Sequence, residues 1–140
     1  MKRNLFLTLL ATAAIAIVQP VHADDGIVVI ANSAIHGLDA ETLKRIWTGR
    51  TIDLDGIALR PINLPPGHPS RRRFLAVVMQ QDDDDYIAYW TVRRYVGKGA
   101  PPREMNTGAE VVEFVRHTPG AIGYIDPSEL KPGLNVVLRR

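Results

Sequence analysis

The run Ile27-Val28-Val29-Ile30-Ala31 contains no polar side chain. A strand with one face in water alternates apolar and polar residues, so an unbroken β-branched run reads as a strand buried on both faces. That segment calls for layers on either side of a sheet. "GLDAETLKRIWTG" supplies a helix with Asp39 as its N-cap, Leu43, Ile46 and Trp47 along one face, and Gly49 as its stop. "DLDG", Asp53 to Gly56, reads as a tight turn. Ile57 to Asn63 reads as a strand, with Pro61 marking an edge or a strand end. Ser70 is placed to cap a helix carried by Phe74, Val77 and Val78, and the run Asp82–Asp85 opens another, carried by Tyr86, Tyr89, Trp90, Arg93 and Arg94. "GKGAPP" ends it. Thr107-Gly108-Ala109-Glu110 has the pattern of a capping box before Val111, Phe114 and Val115. Ala121–Ile125 and "LNVVLRR" are the last strands. The order β-α-β-α-α-α-β-β is that of a small α/β sandwich with a mostly parallel or mixed sheet.

The segment ahead of this domain has a different character. Lys2 and Arg3 precede an apolar run, Leu5 to Val18, that is too short for a spanning helix, and Val21-His22-Ala23 sets small residues where a signal peptidase reads. Residues 1–23 are therefore expected to be a signal peptide and residues 24–140 the mature domain, located in the periplasm or secreted, with no membrane insertion after cleavage. Losing Lys2 and Arg3 brings the formal charge from +2 to zero. A zero balance carries no electrostatic footprint for nucleic acid. There is no cysteine, so disulfides, thiol catalysis and thiolate metal sites are excluded.

The stretch "LPPGHPSRRRF", Leu64 to Phe74, is where chemistry concentrates. Gly67 lets the backbone approach a ligand, His68 and Ser70 offer side-chain donors, and a helix start adds free N–H groups and a dipole that favours an anion. Arg71, Arg72 and Arg73 diverge by about 100° per residue, so one or two of them reach a single site. The candidate anion-binding set is Gly67, His68, Ser70, Arg71 and Arg72. In the alternative reading Ser70 only caps, Gly67 only turns, and the arginines pair with surface acids or lie in water. The four aspartates 82–85 lack the glycine turn and distal carboxylate of a calcium loop and read as a helix cap and first turn. His36, His68 and His117 have no metal-ligand spacing, so neither a metal nor another cofactor is expected. Tyr86, Tyr89, Trp90 and Tyr95 form a stripe read as core packing. No catalytic constellation is visible, and the protein is not expected to be an enzyme.

Several of these pieces together resemble one family. "LDAETLKRIWTGR" resembles the acidic helix and Ile-Phe-x-Gly of phosphate-type periplasmic substrate-binding proteins, with Trp47 in place of Phe. "DLDG" resembles their Trp-x-Asp/Asn-Gly turn, and "PGAIGYID" resembles their Pro-Gly-Ala-Ile-Gly-Tyr-Val strand. "YIAYWTVRRYVGKG" and "GHPSRRRF" resemble a short, single-domain branch of that group. The resemblance implies an α/β fold that is a single lobe of the type II periplasmic binding protein-like kind, a small mixed sheet flanked by helices. It also implies a non-enzymatic role related to the binding component of a phosphate ABC transporter. Asn63 stands near the family's ligand arginine, and Gly67-His68-Pro69-Ser70 stand where its Ser-Gly-Thr loop would be. Pro69 has no N–H to donate. The expected ligand is phosphate or another small oxyanion, held weakly. The other partners in view are a membrane transporter, a sensor protein or a second copy of the chain, the last three belonging to a reading as an interaction module without a small ligand.

Overall fold

The computed structural model describes residues 26–140, so the expected signal peptide lies outside the described residues. The buried run forms β1 (Val28–Ala31), and all four of its residues are enclosed. Asp39 caps α1 (Ala40–Trp47) by accepting a hydrogen bond from the Thr42 N–H at 2.7 Å, and Leu43, Ile46 and Trp47 are buried as the spacing requires. β2 (Asp53–Leu54) and β3 (Ile57–Ala58) then form a small hairpin. Asp55 and Gly56 both have positive φ at its tip, which is the turn geometry that suits hairpin twist.

The expected strand 57–63 is thus divided. Its second part is β4 (Arg60–Asn63), which joins the main sheet. The Arg60 N–H bonds to the Gly120 carbonyl on one side, so the Pro61 nitrogen faces the other. That side is free there, because the neighbouring strand reaches only Ile62 and Asn63, and the missing N–H breaks no ladder.

α2 (Pro69–Phe74) runs directly into a π-helical turn, Leu75–Met79, which ends at Gln80 with φ 56°. The wider turn rotates the apolar register: Leu75, Val78 and Met79 are buried while Val77, expected in the core, is exposed. α3 (Asp83–Tyr95) is capped by Asp82, whose carboxylate accepts from the Asp85 N–H. Of its aromatic stripe, Tyr86 and Trp90 are buried and Tyr95 is 92% exposed. β5 (Arg103–Glu104) has only two residues, too few to leave a periodic signal. α4 (Gly108–His117) is capped by Thr107, and Glu110 reaches back to the Asn106 N–H, one residue before the expected partner. β6 (Ala121–Ile125) and β7 (Asn135–Arg139) complete the chain.

The main sheet has the order β5-β4-β6-β1-β7. β4 runs parallel to β5 and β6, whereas β1 is antiparallel to both β6 and β7, so the sheet is mixed. Tyr124 of β6 stacks on Phe74 with ring centroids 4.2 Å apart, and Trp47 packs beside them on the same face. Gly123 faces the other way, onto Val111 of α4. Covering both faces explains why every residue of β1 and β6 is apolar or small.

The string "PGAIGY" is accounted for by this packing. Gly120 has φ 78°, and a Cβ there would overlap the Ala58 carbonyl oxygen. A Cβ on Gly123 would sit 2.5 Å from Val111 Cγ1. Replacing Gly120 by alanine should cost about 2–4 kcal/mol in urea unfolding, since strain and backbone overlap add. Gly133→Ala provides the contrast, because Gly133 has a similar φ with open space around it. Equal losses in the two variants would contradict the close approach.

Candidate functional site

The loop from Leu64 to the start of α2 lies where β4 ends. His68, not Ser70, is the N-cap: its Nδ1 accepts from the Ser70 N–H at 3.2 Å, and Pro69 follows as the first helical residue. The His68 N–H donates to the Pro65 carbonyl. Ser70 itself is buried. The Ser70 and His68 N–H groups are thus committed to the loop's own geometry.

Arg71 is the center of the site. It is only 2% exposed. Its Nε donates to Asp83 Oδ1 at 2.9 Å, and Nη2 lies 2.8 Å from the same oxygen. Its Nη1 donates to the Leu64 carbonyl at 2.9 Å and to Glu104 Oε1 at 3.0 Å. The guanidinium also lies 5.5 Å from the center of the Tyr86 ring. The Gly67 N–H donates to Asp83 Oδ2 at 3.0 Å. One carboxylate therefore takes both a backbone donor of the loop and the guanidinium behind it. Asp83 stands where the reading of an anion loop puts the ligand.

The three consecutive arginines separate as helical geometry demands. Arg72 is exposed, Arg73 pairs with Asp126 at 2.6 Å, and Arg71 alone turns into the loop. The structure thus brings together Gly67, His68, Ser70 and Arg71 and leaves Arg72 on the outside. Sequence reading missed Asp83 and Glu104 as partners. Asp83 was hidden in a run whose capping role is also real, and Glu104 sits on the two-residue strand β5.

Beside the loop, Asn63 ties four elements together. Its Oδ1 accepts from Trp47 Nε1 at 3.0 Å and from the Tyr124 hydroxyl at 3.3 Å, and its Nδ2 donates to the Tyr86 hydroxyl at 3.2 Å. The Tyr86 hydroxyl donates to the Trp47 carbonyl, and the Leu64 N–H donates to the Tyr124 hydroxyl. Asn63 is a structural hub and is turned away from solvent. A cleft of about 250 Å³ opens next to it, lined by Asn63, Pro66, Arg71, Tyr86, Arg94 and Glu104 among others. No group of three or more histidine, aspartate or glutamate side chains is placed to hold a metal among the described residues.

No family model matches the sequence, and no curated protein matches it. Among solved structures, an ABC-type phosphate transport receptor from Vibrio cholerae superposes with a TM-score of 0.62 at 17% identity, covering 80% of this chain and 45% of that one. The chain therefore spans less than half of that receptor's length. The likeness is one of fold: a single α/β lobe of the type II periplasmic binding protein-like architecture.

Burial raises the proton affinity of both hub tyrosines, Tyr86 and Tyr124, above the ordinary phenol value. An unfolded tyrosine then loses its proton at a lower pH than the folded one, so the hub contributes fully below about pH 10 and stability falls as pH rises beyond it. Urea midpoints measured from neutral pH upward should decline above that point, and Tyr124→Phe should make the decline shallower. An unchanged slope in the variant would contradict a titrating hub.

Proposed function

We propose that the protein is a non-enzymatic binding lobe of the substrate-binding type, working in the periplasm or outside the cell, whose anion loop is closed by its own carboxylate. The supporting observation is Asp83, which accepts from the Gly67 N–H and from the Arg71 guanidinium together. Phosphate or another small oxyanion then reaches Gly67, His68, Ser70 and Arg71, with Arg72 at the rim, only by displacing Asp83. Competition with a tethered carboxylate and with water makes such binding weak in the intact protein.

The test compares phosphate and sulfate titrations of the intact protein and of Asp83→Ala, each against its own ligand-free thermal midpoint at fixed ionic strength. The intact protein should respond only in the tens of millimolar. The variant should gain affinity for phosphate and rise by several degrees, since ligand at 100 times its dissociation constant adds about 2.7 kcal/mol. A flat response in the variant would remove the loop as an anion site. Micromolar binding by the intact protein would show that Asp83 does not close it.

A second reading, an interaction module, is supported by the outer face of α3. Val92 and Tyr95 are exposed along it and Val96 follows on the same side at its C-cap, with Val92 at 62%. A membrane transporter, a sensor protein or a second copy would cover that face. For the second copy, sedimentation should give a mass that rises with concentration and that Val92→Glu returns to the monomer value. A strict monomer at high concentration contradicts self-association.

A further inference from the structure

A larger concave site lies apart from the anion loop. A groove of about 410 Å³ runs along the outer side of β4 and β5, between the end of α1, the hairpin and α4. That volume falls within the range of small-molecule sites. Its apolar surface comes from Ile52, Ile62, Trp90 and Phe114, and Ile52 projects into solvent at the rim. No acidic side chain lines it.

The charged side chains that line this groove are both positive. Arg60 and Arg103 line it, and neither forms an ion pair among the described residues. The Arg103 guanidinium lies 5.9 Å from the Phe114 ring center. Arg93 lies alongside, 5.6 Å from the Trp90 ring center, with Nη2 near Gly49 at the groove wall. Its Nε is enclosed and has no hydrogen-bond partner among the described residues. A bare inorganic anion would leave the apolar surface wet. A neutral hydrocarbon would make no use of the Arg60 and Arg103 guanidiniums. Strand addition by a peptide is opposed by Pro101 and Pro102, which directly precede β5 and bring no N–H to the edge.

We propose that this groove binds a small carboxylate with an aromatic or branched apolar body, the body against Trp90 and Phe114 and the carboxylate between Arg60 and Arg103. The chain has two tryptophans, and only Trp90 lines the groove while Trp47 is sealed in the core. Tryptophan emission therefore reports on occupancy. Titrating the protein with 4-phenylbutyrate should give a saturable emission change, matched by calorimetry. The neutral 4-phenylbutyramide should bind at least about tenfold more weakly, and Arg60→Gln and Arg103→Gln should each weaken the carboxylate by a similar factor. Both arginines are exposed, so the variants retain the fold. Lys131→Gln, which removes a charge outside the groove, should leave affinity unchanged. Equal binding of acid and amide, or no saturable change up to about 10 mM, would overturn the proposal.

Discussion

Arg71 is a cation held almost entirely out of water, and the loop, α3 and β5 are each fixed by what they contribute to it. A buried guanidinium is tolerable only when its donors are met and its charge is answered. Leu64 offers a carbonyl from the loop, Asp83 a carboxylate from the first turn of α3, and Glu104 another from β5. Asp83 has a further reason to be there, because the start of a helix favours negative charge. The same carboxylate then orients Gly67. The loop is thereby held in shape by a side chain of the protein itself.

The Asn63 hub works on the other side of that loop. It joins the end of α1, β4, α3 and β6 through hydrogen bonds whose donors and acceptors are mutually consistent. Each bond is modest alone, but leaving any of these buried groups unpaired costs more than the bond contributes. Since Tyr124 meets both Asn63 and the Leu64 N–H, the β6 strand also positions the loop. The family-like string "PGAIGY" thus serves the fold: two close backbone approaches and one buried hydroxyl.

Much of this architecture was legible in the sequence. The apolar runs of β1 and β6, the Asp39 and Thr107 caps, the Asp53–Gly56 turn and the separation of Arg71 from its neighbors follow from local rules. The π turn after Phe74 was not legible, because its extra residue alters register without altering composition. Neither was β5, nor the N-cap role of His68, which took the position that hydroxyl preference assigned to Ser70. The partners of Arg71 were hidden for a different reason. Asp83 and Glu104 lie 12 and 33 residues away, and no periodicity reports a pairing made only by tertiary structure.

The proposal that Asp83 closes an anion loop rests on its coupling to Arg71, and a double-mutant cycle measures that coupling directly. Arg71→Gln, Asp83→Asn and the double variant would be unfolded in urea beside the intact protein. The account predicts a coupling of about 2 kcal/mol or more, since the guanidinium is buried and its partner only slightly exposed. Losses that simply add, with a coupling near zero, would mean the two groups are neighbors without being partners, and the closed loop would have to be abandoned.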